Sequence, residues 1–192
     1  MLKKLFFVML SVFLLATYGE ARTIGGVDLS ESLKLDGMDK ELVLNGGGIR
    51  TKFFMDIYVA GLYLTEKNND YQAIIDQDET MAIKIDIVSK LITSERFKEA
   101  TEAGFMRTTN NDPSMIREQI DKAMKVFDAE FNVGDEFDIV YVKGQGTKFY
   151  KNGSFIANVE GMEFKKALFG IWIIDKPSHK CEKLRLGMLG LK

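Results

Sequence analysis

Arg50 is the side chain of this sequence best suited to binding a small organic anion. A guanidinium can hold a carboxylate through two parallel hydrogen bonds, and it stays charged throughout the physiological pH range. Lys52 adds a second positive charge close by, and the hydroxyl of Tyr58 can add a further hydrogen bond. Phe54 lies between them in the sequence and offers apolar surface. These four residues predict a site for a ligand with an acidic head and an apolar tail.

A structural role for Arg50 is the alternative interpretation. An arginine at the end of a strand can form an ion pair that supports the sheet, although surface pairs of this kind contribute little to stability. Asp56 and Glu95 are candidate acids for such a pair. From the residues alone, both interpretations stay open.

The run that holds these residues, from about Ile49 to Thr65, alternates with the two-residue period of a β-strand. Its odd positions are almost all apolar, and its even positions change from polar to apolar along the run. The pattern predicts one long strand that is covered on both faces, and therefore a second layer. On a continuous strand Arg50 and Tyr58 share a face but lie roughly 25 Å apart at ~3.3 Å per residue, too far to hold one carboxylate.

The remaining elements are predicted from period and turn residues. Further strands are expected over residues 32–35, 40–45, 80–89, 136–143, 147–151 and 154–159, with hairpin turns at Asp36-Gly37 and Asn152-Gly153. Helices are expected over residues 70–77, 94–108, after Asp112-Pro113, 162–173 and 182–189. This order predicts an α+β domain, in which a largely antiparallel sheet carries helices on one face.

The first 21 residues have the features of a secretory signal peptide. Two lysines precede an apolar run over residues 5–16 that is too short to span a bilayer comfortably, and Gly19-Glu20-Ala21 gives a small-x-small cleavage pattern. We expect cleavage after Ala21, one domain over residues 22–192, and a periplasmic or secreted location. An uncleaved N-terminal anchor is the alternative. No later segment is apolar enough to predict a membrane span.

Composition narrows the classes of partner. The formal net charge is −2, so the sequence gives no reason to expect a nucleic-acid partner. The single cysteine, Cys181, excludes an intrachain disulfide and is interpreted as a small buried hydrophobe. The single histidine, His179, is interpreted as a solvated loop residue rather than a metal ligand.

Several segments together resemble the bacterial chalcone isomerase-like proteins. They are GGGIRTKFFMDIYVAGLYL at 46–64, KGQGTKFYKNG at 143–153, GMEFKKALFGIWI at 161–173 and EKLRLGMLG at 182–190. The resemblance implies the chalcone isomerase fold, an open-faced β-sandwich in which an antiparallel sheet carries helices on one side, with a ligand cleft between the layers. That fold hosts enzymes that cyclise chalcones and non-catalytic members that bind fatty acids.

The catalytic pattern of the family carries over only in part. Arg50, after Gly46 to Gly48, matches the arginine that follows a Gly-rich turn and holds the anionic end of the substrate. Tyr58 stands where the enzymes have a threonine, in the register fixed by GLYL at 61–64. The positions of the other hydrogen-bonding groups of the enzymes fall near Phe97, Gly104, Ile171 and Trp172.

Three functions follow as hypotheses. The first is an exported, non-catalytic protein that binds a hydrophobic or amphipathic, fatty-acid-like carboxylate in the cleft, without a cofactor. An isomerase of the chalcone type is the alternative, although loss of most of the groups that stabilise the developing charge should leave little catalysis. Haem binding is a second alternative, in which Arg50 and Lys52 would pair with propionates and Tyr58, Met55 or His179 would be the axial ligand.

Overall fold

The computed structural model describes residues 21–35, 38, 40–175 and 181–192. Most of the predicted signal peptide, the Asp36-Gly37 turn and His179 lie outside these residues. The strands are β1 (Ala21–Ile24), β2 (Val27–Ser30), β3 (Ser32–Leu33), β4 (Leu42–Lys52), β5 (Met55–Leu64), β6 (Met81–Ile87), β7 (Glu136–Val142), β8 (Gly146–Lys151) and β9 (Ser154–Val159). The helices are α1 (Tyr71–Asp76), α2 (Ser94–Thr108), α3 (Arg117–Met124), α4 (Met162–Ile173) and α5 (Glu182–Met188), and short 3-10 turns at Ser114–Ile116 and Lys125–Phe127 flank α3.

Strands β3 to β9 form a seven-stranded antiparallel sheet in which each strand pairs with its neighbours in sequence. Strands β1 and β2 form a separate hairpin. The larger hydrophobic core joins one face of the sheet to side chains from all five helices. The predicted α+β architecture, with helices on one face of an antiparallel sheet, is therefore confirmed.

The prediction of one long strand over residues 49–65 is wrong. The chain reverses at Phe53 and Phe54, whose φ angles are +50° and +65°, and residues 42–64 form a two-stranded hairpin. Two features explain why the sequence pattern does not indicate this turn. Neither phenylalanine is a turn residue, and a bulge after Arg50 pairs even with even positions, so the two-residue period continues through the reversal.

The reversal of the chain at Phe53 and Phe54 brings two predicted site residues together. Arg50 of β4 pairs directly with Tyr58 of β5, instead of lying far from it along a single strand. Side chains of directly opposed residues lie on the same face of a sheet, with Cβ atoms about 5 Å apart. A shared ligand for Arg50 and Tyr58 therefore needs no bend in the strand.

Both faces of β5 are covered, as its sequence predicts. Tyr58, Ala60 and Leu62 contribute to the core beneath the helices. Val59 and Tyr63 contribute to a second core on the other face, which includes residues of the β1–β2 hairpin and of β4 but none from a helix among the residues that the structure describes. The second layer expected from the apolar run is thus helical on one side and a hairpin on the other.

Gly46 to Gly48 lie inside β4 rather than in a turn, and they bring α5 against the sheet. A Cβ at Gly46 would overlap the carbonyl oxygen of Gly187, and a Cβ at Gly187 would overlap the carbonyl oxygen of Gly47. Helix and strand backbones touch here because neither side carries a side chain. This contact fixes the strand just before Arg50.

Helices α2 and α4 lie side by side over the same end of the sheet. The Thr93 side chain caps α2 by accepting a hydrogen bond from the Arg96 N–H, and Phe97 and Phe105 are buried on its inner face. A Cβ at Gly104 would collide with Ile171 of α4, so this glycine sets the close spacing of the two helices.

Candidate functional site

A cavity of about 630 Å³ opens beside the end of the β4–β5 hairpin. Its walls come from both strands, from the loop before α2, from α2 and α4, and from the start of α5. The volume lies in the range of small-molecule sites. The lining residues are Arg50, Lys52, Phe53, Met55, Ile57, Tyr58, Leu91, Ile92, Arg96, Phe97, Ala100, Thr101, Ala103, Arg107, Ile171, Trp172 and Cys181.

The charges of the lining residues have one sign. Arg50, Lys52, Arg96 and Arg107 are basic, and the described residues of the lining include no aspartate or glutamate. The remaining side chains are mostly apolar. Positive charge on low-dielectric walls attracts an anion, and the apolar surface favours a hydrocarbon portion of the same molecule.

Tyr58 is a buried hydrogen-bonding group in this cavity. Its hydroxyl oxygen accepts a hydrogen bond of 3.2 Å from Trp172 Nε1. Burial raises the pKa of Tyr58 well above its ordinary value, an effect that the neighbouring Arg50 opposes only in part. Tyr58 therefore remains a neutral phenol at physiological pH, and its proton has no acceptor among the described residues, so it can donate to a ligand.

Arg50 is half-buried at the mouth of the cavity. Its Nη1 donates a 2.8 Å hydrogen bond to the carbonyl oxygen of Thr51. Of the two acids considered for a structural ion pair, Asp56 accepts a 3.0 Å bond from the Thr51 hydroxyl, and Glu95 lies in the first turn of α2. Arg50 lines the cavity beside its strand partner Tyr58, which places its guanidinium where an anion in the cavity could be bound.

Arg107 is a site residue that sequence reasoning missed. Its Nη2 donates to the carbonyl oxygen of Ile171 at 3.2 Å, while its Nε is buried and has no hydrogen-bond partner in the described part of the chain. An unsatisfied buried donor costs ~1–3 kcal/mol. A ligand acceptor placed beside Nε would remove that cost.

A sequence signal for this wall of the cavity exists. Arg96, Ala100, Ala103 and Arg107 follow one another at intervals of four, three and four residues, which places them on a single stripe of α2. This stripe runs beside the buried stripe of Phe97 and carries a basic residue at each end with small residues between. The prediction of α2 rests on the buried stripe alone and does not include this neighbouring one.

Cys181 lies in the wall near both arginines. Burial raises the pKa of its thiol, and the positive charges of Arg50 and Arg107 oppose that shift. The thiol therefore stays protonated at neutral pH, as expected for a packed cysteine.

Three of the four predicted site residues, Arg50, Lys52 and Tyr58, line the cavity. Phe54 does not, because the turn places its side chain in solvent with a relative exposure of 102%. Phe53 and Met55, its neighbours in the chain, take the place in the lining that the sequence assigned to Phe54.

The positions at which the resemblance places further catalytic groups also lie at this cavity. Phe97, Ile171 and Trp172 line it, and Gly104 packs against Ile171. None of these side chains carries a hydroxyl or an amide. The hydroxyl of the lining residue Thr101 donates to the carbonyl oxygen of Phe97 at 2.8 Å, so it is directed back into its own helix.

The described residues contain no group of three or more His, Cys, Asp or Glu side chains placed to hold a metal ion. None of the helices that the structure describes has the length and apolar character needed to span a bilayer.

Comparison with known proteins identifies the architecture. Residues 21–190 match the family described as chalcone isomerase-like. Among solved structures, the fatty-acid binding protein AtFAP1 of Arabidopsis thaliana matches with a TM-score of 0.66 and 15% sequence identity, over 85% of this chain and 92% of that one. At this identity the likeness shows the fold alone, and no curated protein matches the sequence. Because the family match extends over most of the sequence, this chain belongs to the chalcone isomerase-like family.

Proposed function

We propose that this protein binds a fatty-acid-like carboxylate in the cavity beside the β4–β5 hairpin and releases it unchanged. The observation that carries the proposal is the lining itself, in which the described residues combine four basic side chains with apolar walls and include no acidic residue. A long-chain carboxylate has the matching division into one charged end and an apolar remainder.

The acidic head is assigned to Arg50, Arg107 and Tyr58. Arg50 pairs directly with Tyr58 in the sheet, and both guanidinium groups belong to residues that line the same cavity. The unpartnered Nε of Arg107 and the phenol proton of Tyr58 are donors that a carboxylate can satisfy. Hydrogen bonds to an ionised acceptor contribute ~1.5–3 kcal/mol each, more than bonds between neutral groups.

The apolar tail is assigned to the surface of Ile57, Phe97, Ile171 and Trp172. Each methylene removed from water contributes ~0.8 kcal/mol before the entropic cost of binding. Most of the affinity therefore comes from the tail, while the basic residues select the head and fix its position. This division of roles predicts that affinity rises with chain length until the cavity is filled.

A chalcone isomerase activity has less support. Cyclisation builds negative charge on a ketone oxygen, and each fixed donor that stabilises such charge contributes about 10²- to 10³-fold to the rate. The positions that hold further donors in the enzymes fall near Phe97, Gly104, Ile171 and Trp172 here. We expect chalcone to cyclise at its spontaneous rate in the presence of the protein, and turnover that Arg50→Ala abolishes would instead establish the enzyme.

The comparisons support the proposal without identifying the ligand. The fold is shared with a solved fatty-acid binding protein. The apolar segment before Ala21, with its cleavage pattern, supports export to the periplasm or beyond as part of the same proposal.

Labelling of Cys181 tests the proposal directly, because the chain has a single cysteine and it lines the cavity. We expect decanoate to slow labelling of the native protein by a thiol reagent, with saturation at high concentration. Acetate, which has the same head without the tail, serves as the control and should have no effect. Labelling that decanoate leaves unchanged would contradict the proposed site.

A further inference from the structure

Large apolar side chains are exposed together around the mouth of the cavity. Relative exposures are 78% for Phe53, 102% for Phe54, 47% for Met55 and 39% for Leu91. Phe53, Met55 and Leu91 all line the same cavity, so the cluster surrounds its opening. We refer to these four residues as the aromatic tip.

The turn at the tip is strained, because both of its central residues are phenylalanines with positive φ angles. Phe53 and Phe54 have φ angles of +50° and +65°, and the Asn152-Gly153 turn has nearly the same geometry, at +51° and +75°. Asparagine and glycine suit such a two-residue hairpin turn, whereas bulky side chains are disfavoured there. Backbone strain of this kind is concentrated at functional sites. Here the strained conformation exposes two phenylalanine side chains to solvent.

The surroundings of the tip are basic. The ammonium of Lys52 lies 5.5 Å from the centre of the Phe53 ring, and Arg50 and Arg96 lie in the adjoining cavity wall. The nearby carboxylate of Asp56 accepts a hydrogen bond from Thr51. Exposed aromatic rings beside positive charges complement a partner surface that has anionic groups on the outside and apolar groups beneath them.

We infer that the aromatic tip docks the protein on an anionic lipid bilayer. Phe53 and Phe54 would enter the boundary between headgroups and acyl chains, while Lys52 and Arg96 would contact the headgroup phosphates. The cavity mouth, which the tip surrounds, would then face the membrane. Transfer of a lipid-derived carboxylate between bilayer and cavity rests on the proposed function, whereas docking itself does not.

Flotation with vesicles tests the inference. The purified protein should float with vesicles of phosphatidylglycerol mixed with phosphatidylcholine. It should float less with vesicles of phosphatidylcholine alone, or with the mixed vesicles at high salt. Phe54→Gly should weaken binding to the mixed vesicles by about tenfold, since it removes one inserted ring. The same substitution should raise the thermal midpoint by a few degrees, because glycine accepts the positive φ.

Met115→Ser is the matched control, since Met115 is 89% exposed and does not line the cavity. It should leave vesicle binding unchanged, and identical preparation of all variants cancels any contribution of the N-terminal segment. Equal flotation of Phe54→Gly and the native protein would overturn docking by the tip. So would self-association of the native protein that Phe54→Gly abolishes without any loss of flotation, because the tip would then contact a second copy.

The outcome separates docking from ligand binding. Phe54 does not line the cavity, so decanoate should protect Cys181 from labelling equally well in Phe54→Gly. Loss of flotation with protection retained supports docking as a separate function. Retained flotation with protection retained overturns docking and leaves the proposed function intact.

Discussion

Two regions of the helical layer each contain a basic side chain with a buried hydrogen-bond donor, and the two donors differ in whether the protein supplies an acceptor. Lys165 of α4 has a relative exposure of 0%, and its ammonium donates to the carbonyl oxygens of Ile74 at 3.3 Å, Ile75 at 2.8 Å and Gln77 at 2.8 Å. Arg107 leaves a buried Nε donor without a partner among the described residues. The protein satisfies the first cation itself, which indicates a structural role, and leaves the second incomplete beside a cavity, which indicates a ligand.

The largest expected effect comes from removing the satisfied cation. Lys165→Met leaves the last carbonyls of α1 and the Gln77 carbonyl without their buried donor, so the free energy of unfolding should fall by ~3 kcal/mol or more. Lys166→Met is the adjacent control, because Lys166 forms half-exposed pairs with Asp76 and Glu163 and should contribute at most ~1 kcal/mol. Chemical denaturation measures the free energy of unfolding of both variants. Equal losses would contradict a special structural role for Lys165.

The pH dependence of the free energy of unfolding should also test whether the Lys165 ammonium is buried. Burial lowers the pKa of Lys165 from 10.5 to about 8. Between these values the unfolded chain binds more protons than the folded one, so the Lys165 contribution makes the free energy of unfolding rise with pH, by ~1–3 kcal/mol. Below about pH 8 the contribution is constant. The difference between native protein and Lys165→Met, followed by denaturation from pH 7 to 11, should show this rise, and a flat difference would contradict the burial of the ammonium.

Arg50→Ala should show the opposite pattern to Lys165→Met. We expect decanoate binding to weaken by more than about tenfold, because a charged two-pronged contact is lost. The thermal midpoint should stay nearly the same. Arg22→Ala is the control, since Arg22 forms an exposed pair with Glu31 away from the cavity. A large loss of stability with unchanged binding would return Arg50 to the structural interpretation.

The smallest expected effect is that of Tyr58→Phe. The substitution removes one donor to the ligand and leaves Trp172 Nε1 without its acceptor. Decanoate binding should weaken by only ~1.5 kcal/mol, the low end for a hydrogen bond to an ionised acceptor, and the free energy of unfolding should fall by ~1 kcal/mol. Isothermal titration and denaturation measure the two losses, and a loss confined to stability would remove Tyr58 from the ligand site.

The fold could be predicted from the sequence because its signals are local. Asn152-Gly153 marked the hairpin between β8 and β9, and the period of three and four residues marked α2 and α4. The turn at Phe53-Phe54 could not be predicted in this way. It has no turn residue, and the bulge after Arg50 preserves the two-residue period through the reversal.

The site was harder to predict than the fold, because it depends on which elements meet. Arg50, Lys52 and Tyr58 were found from one segment, since they are close in sequence. Arg107 joins them only because α2 packs across the end of the hairpin. The stripe that holds Arg107 is visible in the sequence, but its position against the hairpin is not. Phe54 was misplaced for the same reason as the turn, since reversing the chain there turns its side chain outward.

The preference of the cavity for a charged head is the most direct test of the account. Trp172, the single tryptophan, lines the cavity, so its emission can follow titration with decanoate and with decanol at neutral pH. We predict that the native protein binds decanoate more than about tenfold tighter, and that the double variant Arg50→Ala/Arg107→Gln binds both alike. Equal affinities in the native protein, or a preference that survives in the double variant, would contradict an anion site at these arginines.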